Sequence, residues 1–151
     1  MNDLDILERN KAIVREYFAR LDVRDPRLID DLFIADCVVH RPELAQPIRG
    51  REALRAGFLR NAGVYAEFHS AIEDLIAEAD RVVARIMHRV VHRADWDTRI
   101  GRVAAAGKSV SWSAIAIFRF EDGRIAEEWV SRDELGMLLQ IGPVQPLRSS
   151  V

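Results

Sequence analysis

The sequence predicts an α+β fold in which most helices come first and the strands follow. Helical periodicity is confined to the first 62 residues and to one segment near the end, whereas residues 66–129 carry long β-like runs. Because helices and strands are segregated along the chain, consecutive strands are expected to pair, and alternating β-α-β units are not expected. The 151 residues, 49% of them hydrophobic, suffice for one sizeable core.

Three helices are expected in the first part of the chain. Residues 4–21 repeat apolar side chains at helical spacing and predict a long amphipathic helix. Asp25 and Pro26 resemble an N-cap and a first-turn proline, which would begin a short second helix. The third helix is predicted to begin at Gly50, with Phe58 on its apolar side.

Strands are expected between and after these helices. The segment Cys37–His40 predicts a short strand before the loop at residues 43–49. Residues 66–96 predict two long strands joined by a tight turn at residues 78–80. Residues 97–108 contain two glycines and predict a loop or hairpin tip, and a further strand is expected over residues 110–120.

The last strand and the closing helix complete the predicted domain. Asp122 and Gly123 mark a hairpin turn, and the strand after it is expected to reach Trp129. Ser131, three residues before Glu134, has the spacing of a capping box, which predicts a helix from about residue 132 to residue 141. Gly142 followed by proline is expected to end it.

Charge and cysteine content disfavour several classes of protein. The 22 basic and 24 acidic side chains give a net charge of −2 and are interspersed, which favours neither nucleic acid nor a membrane as partner. The single Cys37 cannot form an internal disulfide, and the N-terminal segment is acidic where a secretory signal needs basic and then apolar residues. We expect one cytoplasmic domain over residues 1–143 and a flexible tail over residues 144–151.

Alternation along the strands predicts the wall of a small-molecule pocket. In the strand over residues 110–120, two alanines lie between Trp112 and Phe118 on one face, which leaves a hollow. On the preceding long strand, His88 and His92 are expected to face the same hollow. The predicted ligand contacts are Trp112, Phe118, His88, Phe58 and Trp129, which ends the last strand.

The opposite face of the same strand carries Ile115 and Ile117. Two isoleucines side by side on a convex sheet face would form an apolar patch in water. We therefore expect a homodimer that associates through the convex face of the sheet.

Asp133, with His92 or His40, is the best available set for proton transfer. A mostly dry pocket can raise the pKa of a carboxylate towards neutrality, as general acid/base chemistry requires. Each residue also has a structural interpretation: the histidines as hydrogen-bonded packing, Asp133 as a charge at a helix start, and the tryptophans as core.

No metal or cofactor is expected. The sequence lacks a glycine-rich phosphate loop, an HExxH motif, paired CxxC motifs and a G-x-S-x-G motif. His88 and His92 are four residues apart, but on a strand they would lie roughly 13 Å apart and could not share one ion.

Residues 8–143 resemble the SnoaL-like polyketide cyclases of the nuclear-transport-factor-2-like group. The matching segments are NKAIVREYFARLD, VVH, RGREALRAGF, AEADRVVAR, the strand end at His92 and FEDGRIAEEWVSRDELGMLLQIG. The resemblance implies a strongly curved, mixed or antiparallel β-sheet cone with N-terminal helices packed on its concave face around an apolar pocket. It also implies a dimer and no cofactor, and relatives include cyclases, ketosteroid isomerases, dehydratases and epoxide hydrolases.

The chain departs from the cyclases at two positions. Their acid/base aspartate aligns with Val130 and their central-strand histidine with Ala116, and neither side chain here can transfer a proton. His40 matches a position that is often polar in the cyclases, and Asp133 matches a second acidic position.

Two functions stay open. One is a cofactor-independent cyclase, isomerase, dehydratase or hydrolase acting on a small, largely apolar molecule. The other is a non-catalytic ligand-binding or dimerisation module of the same fold.

Overall fold

The computed structural model describes residues 2–144, which form four helices and eight strands. In chain order these are α1 (Asp3–Asp22), α2 (Leu28–Leu32), β1 (Phe33–His40), β2 (Ile48–Arg49), α3 (Arg51–Ala62), β3 (Tyr65–Glu78), β4 (Arg81–His92), β5 (Trp96–Thr98), β6 (Gly101–Val103), β7 (Ser109–Glu121), β8 (Arg124–Arg132) and α4 (Glu134–Ile141). Beyond Val144, the tail predicted over residues 144–151 lies outside the described residues.

Six strands form one mixed sheet in the order β2-β1-β8-β7-β4-β3, and β5 and β6 form a separate hairpin. β1 runs parallel to β8, and the other neighbours are antiparallel. The register shifts in β1, β3 and β8 are irregularities of the kind that bend and twist a sheet. The result is a curved sheet with α1, α2 and α3 packed on its concave face, which confirms the predicted fold class.

Helix α1 begins and ends with defined caps. Asn2 accepts a hydrogen bond from the Asp5 amide at 2.9 Å, and the Asp5 carboxylate accepts one from the Asn2 amide, which makes a capping box. At the other end, Arg24 has a left-handed backbone (φ 52°). The Arg24 amide donates to the Leu21 carbonyl and the Asp25 amide to the Arg20 carbonyl, which is the Schellman pattern.

The junction between the last strand and the last helix differs from the prediction. β8 continues past Trp129 to Arg132, because Ser131 and Arg132 still pair with β7. Ser131 therefore lies in the strand, and the predicted capping box is wrong. Asp133 caps α4 instead, with its Oδ1 atom accepting from the Gly136 amide at 2.9 Å. Gly142 ends α4 in a left-handed conformation (φ 102°), as predicted.

The buried side chains form two clusters. The larger one joins α1, α2 and α3 to the concave faces of β4, β7 and β8. The smaller one, around Val110, Trp112 and Met137, joins α4 to β7 and to the β5–β6 hairpin. Within residues 2–144, no helix combines the length and apolar character needed to cross a bilayer.

Candidate functional site

A cavity of about 420 Å³ lies between α1, α3 and the concave face of the sheet. This volume falls in the range of roughly 300–1,000 Å³ that is usual for small-molecule sites. Most of its wall is apolar, with side chains from Phe18, Leu54, Phe58, Phe68, Ile86, Trp112, Ala114, Ala116 and Val130. Its charged lining residues are Arg24, Arg41, Glu43, Arg60, Asp95, Asp97, Glu128 and Arg132.

Glu128 is the buried carboxylate of this cavity. Its side chain is 1% exposed, and its strand neighbours Val39 and Phe118 are fully buried apolar residues. Burial raises the pKa of the Glu128 carboxyl, while Arg41 acts in the opposite direction. An apolar side chain would cost less free energy in this place, which makes Glu128 a candidate functional residue.

Arg41 and Tyr17 hold Glu128 in position. The Arg41 Nη1 atom donates to Glu128 Oε1 at 3.1 Å, and the Tyr17 hydroxyl donates to the same oxygen at 3.4 Å. Arg41 follows the last residue of β1, which pairs with β8, so the parallel β1–β8 ladder brings the two charges together. Burial, and then the charge of Glu128, raise the pKa of Tyr17 to about 12, so its hydroxyl stays protonated at neutral pH.

His88 supplies a neutral imidazole to the cavity wall. It lies on β4, is 7% exposed, and its Nδ1 atom is 3.0 Å from Ser70 Oγ. Burial lowers its pKa to about 4, and the positive charges of Arg41 and Arg132 add to this effect. Its Nε2 atom makes no hydrogen bond with residues 2–144 and is available to a ligand.

The predicted ligand contacts divide into three groups. Trp112, His88 and Phe58 line the cavity. Phe118 is fully buried in the core beside it, where its ring lies 5.2 Å from that of Tyr17, and it is not among the lining residues. Trp129 lies on the convex face of the sheet, because Glu128 points to the concave face and neighbouring strand residues point to opposite sides. The prediction that Trp129 borders the cavity is therefore wrong.

The structure does not bring together the three residues predicted for proton transfer, Asp133, His40 and His92. Asp133 is exposed and hydrogen-bonds to the first turn of α4. His40 lies on the convex face, where its ring stacks on Trp129 with centroids 5.4 Å apart and its Nε2 atom is 2.9 Å from Glu127 Oε1. His92 is 1% exposed between Tyr65 and Trp96, and neither ring nitrogen has a partner within residues 2–144. None of these three residues lines the cavity.

No group of three histidine, cysteine or carboxylate side chains suited to a metal ion occurs in the described part of the chain. The single cysteine, Cys37, is a free, buried thiol in β1.

Comparison with known proteins identifies the family. A family model of SnoaL-like polyketide cyclases matches residues 11–141. The chain belongs to the SnoaL-like polyketide cyclase family. A search of curated proteins found no match.

Solved structures agree with this SnoaL-like assignment. TsrD from Streptomyces laurentii is 27% identical, covers 91% of this chain and 97% of its own, and superposes with a TM-score of 0.76. A SnoaL-like polyketide cyclase from Agrobacterium tumefaciens is 16% identical, covers 86% and 95%, and has a TM-score of 0.71. An LEH-like epoxide hydrolase from M. tuberculosis is 17% identical, covers 89% and 90%, and also has a TM-score of 0.71. The last two resemble the chain in fold alone.

Apolar residues lie next to Glu128 in the cavity wall. Val130 and Ala116, the positions to which the sequence resemblance assigns the aspartate and histidine of the cyclases, pair across β7 and β8 and both line the cavity. Glu128 lies two residues before Val130 on the same face of β8.

Sequence reasoning missed Glu128, Arg41 and Arg24. The signal for Glu128 was available, because the inward direction of Ala116 and its pairing with Val130 also make Glu128 inward-facing. Arg41 follows a strand end and carried no periodic signal. Arg24 depends on the geometry of a helix end, which periodicity does not describe.

Proposed function

We propose that the protein binds a small, largely apolar molecule in this cavity and catalyses cofactor-independent acid/base chemistry on it, with Glu128 as the base. The observation that carries the proposal is the burial of Glu128 against the cavity. A carboxylate with a raised pKa is a stronger base than an ordinary one, and Arg41 favours its ionised form at neutral pH.

The cavity also offers a hydrogen-bond donor for the charge that proton abstraction creates. When the Ser70 hydroxyl donates to His88 Nδ1, the neutral ring carries its proton on Nε2. Glu128 would then take a proton from a carbon next to a carbonyl group, and His88 Nε2–H would donate to the enolate oxygen. This step is common to isomerase, cyclase and dehydratase chemistry.

The experiment measures hydrogen–deuterium exchange, so it does not require the natural substrate. 2-Tetralone, an apolar ketone with acidic C–H bonds, is incubated with the protein in D₂O and its exchange rate is followed by NMR. Glu128→Gln should lower the catalysed rate by about 10²- to 10⁴-fold. Glu127→Gln changes the neighbouring residue on the convex face and should have the wild-type rate.

The same assay tests whether Glu128 or Asp133, which the sequence predicted as the base, removes the proton. Asp133→Asn keeps a good helix cap and should exchange at the wild-type rate. A loss of exchange in Asp133→Asn with full exchange in Glu128→Gln would overturn the assignment of the base and favour Asp133.

A non-catalytic binding module is the second candidate. It is favoured by Val130 and Ala116, which leave the family's proton-transfer positions without a titratable group. Under this function 2-tetralone would bind to the wild-type protein without any exchange above buffer.

We also propose that the protein is a cytoplasmic homodimer formed through the convex face of the sheet. Ile115 is 49% exposed on that face, with Ile117 and Trp129 beside it, which supports a buried apolar contact. The free thiol of Cys37 fits a reducing compartment. Replacing Ile115 and Ile117 by aspartate should yield monomers in sedimentation, and a wild-type protein that is monomeric at micromolar concentration would refute the dimer.

A further inference from the structure

We propose that the ligand of this cavity carries a carboxylate, and that Arg24 binds it. The inference rests on the proposed function, since it concerns the same cavity, and it adds the chemical class of the ligand. Arg24 and Glu128 both contribute to the cavity wall. The ligand would therefore have an anionic end at Arg24 and a reacting centre at Glu128.

The backbone at Arg24 is the first observation. Arg24 occupies the position after the end of α1 where the Schellman pattern requires a left-handed residue, and its φ is 52°. Glycine is the usual residue there, because a side chain makes this conformation unfavourable. A strained arginine at such a position indicates that its side chain serves a purpose that glycine could not.

The guanidinium of Arg24 is the second observation. Its Nη2 atom donates to the Ala66 carbonyl at 3.3 Å, whereas its Nη1 atom is buried and has no partner within residues 2–144. The two carboxylates nearest in the chain have other partners: Asp25 accepts from Arg20 Nε at 2.7 Å, and Asp22 accepts from the Ser70 amide at 3.0 Å. Arg24 thus forms no ion pair with a carboxylate of the described residues.

The other arginines of the lining provide the comparison. Arg41 is paired with Glu128, and Arg132 is paired with Glu43 and Glu134. Arg60, at the end of α3, is exposed and, like Arg24, has no ion pair within residues 2–144. The lining therefore combines arginines that are paired with glutamates and two arginines, Arg24 and Arg60, that have no ion pair in the described residues.

A carboxylate fits this region because a guanidinium can donate two parallel N–H bonds to its two oxygens. The ligand would supply the partner that Nη1 lacks, and leaving such a buried donor unpaired is unfavourable. Glu128 would repel the same carboxylate, so the two groups together would fix which end of the ligand reaches the base. The proposed ligand is an aromatic or alicyclic carboxylic acid whose ring system fills the apolar part of the cavity.

The test compares two probes of nearly equal shape, 2-naphthoic acid and 2-naphthamide, by isothermal titration calorimetry at neutral pH. The wild-type protein should bind the carboxylate at least about tenfold more tightly than the amide, since a charge-assisted hydrogen bond is the difference between them. Added salt should weaken carboxylate binding more than amide binding.

Three variants assign the preference to Arg24. Arg24→Gly keeps the left-handed backbone without strain, so it should fold, and it should bind both probes with the affinity that the wild type has for the amide. Arg24→Lys retains the charge and should keep part of the preference. Arg15→Gln is the matched control, because Arg15 is an exposed residue of α1 that does not line the cavity, and its preference should equal that of the wild type.

Each other outcome overturns a specific statement. Equal binding of the two probes by the wild type, or an unchanged preference in Arg24→Gly, would refute the carboxylate site while leaving the cavity as a receptor. Equal weakening of both probes in Arg24→Gly would mean that Arg24 only shapes the cavity. If neither probe bound and 2-tetralone did not bind either, the proposed function itself would fall together with this inference.

Discussion

Glu127 and Glu128 are neighbours in β8, yet the two faces of the sheet give them opposite properties. On the convex face, the hydrogen bond from His40 is the main cause that lowers the pKa of Glu127, and Arg119 adds to it. On the concave face, burial raises the pKa of Glu128 despite the nearby Arg41. The same side chain is thus part of a surface ion pair on one face and a candidate base on the other.

The comparison also shows that residue types common in active sites do not by themselves identify a catalytic site. The convex face assembles a histidine, a glutamate and a tryptophan in contact, which are residue types common in catalytic sites. However, these residues line no part of the cavity. Proximity to an enclosed apolar space, and not residue type, distinguishes the two groups.

The largest expected difference between the faces is in stability. Arg41→Met would leave Glu128 buried without its charged partner and should lower the free energy of unfolding by about 3–5 kcal/mol. Arg119→Met removes a partner of Glu127 on the convex face and should cost about 0–1 kcal/mol. Urea denaturation measures both values. The double variant Arg41→Met/Glu128→Met should recover most of the loss, and equal costs for the two single variants would contradict the comparison.

A smaller difference is expected in the pH dependence of stability. The pKa of Glu127 is lowered by folding, so its contribution is present above the ordinary glutamate value of 4.5 and is lost as the pH falls through the folded-state pKa. The pKa of Glu128 is raised by folding, so its contribution is present below 4.5 and is lost as the pH rises through the folded-state pKa.

Glutamine variants should reveal these opposite slopes. Relative to Glu127→Gln, the wild type should lose stability on acidification, and relative to Glu128→Gln it should lose stability as the pH rises above 4.5. Thermal melting across the acid and neutral range provides the measurement. Slopes of the same sign would show that the two carboxyls do not experience different environments.

The smallest expected effect is spectroscopic. Trp96 and Trp112 line the cavity. Trp129 lies on the convex face, where its ring stacks with that of His40 and its centroid is 5.7 Å from the Arg81 guanidinium. Binding of 2-naphthamide should therefore change the fluorescence of Trp129→Phe as it changes that of the wild type. In Trp96→Phe/Trp112→Phe most of the change should disappear, and a change that persists there but is lost in Trp129→Phe would show that Trp129 borders the cavity.

The sequence predicted the fold well where a regular period describes the backbone. The concave assignment of Trp112, Ala114, Ala116 and Phe118 agrees with their burial, because β7 pairs with β4 without interruption. The strand end was less predictable, since β8 extends three residues beyond Trp129 and Asp133 takes the capping role given to Ser131. Element boundaries depend on tertiary pairing, which the local capping pattern does not contain.

The candidate site was harder to predict than the fold for a physical reason. A glutamate next to another glutamate is usually solvated, so the local sequence does not indicate that Glu128 is buried, although its phase in the strand matches that of Val130. Its burial depends on Arg41 and Tyr17, which are 87 and 111 residues away in the chain. Such a polar contact leaves no local pattern in the sequence.

The parallel pairing of β1 with β8 has a consequence for how the protein is made. The β3–β4 hairpin can form as soon as its two adjacent strands have been synthesised, whereas β1 gains its parallel neighbour only when residues 125–129 are available. Arg41 must remain without Glu128 during most of translation. The cavity is therefore a late product of biosynthesis, and its apolar wall is exposed to chaperones and to aggregation until the last strand enters the sheet.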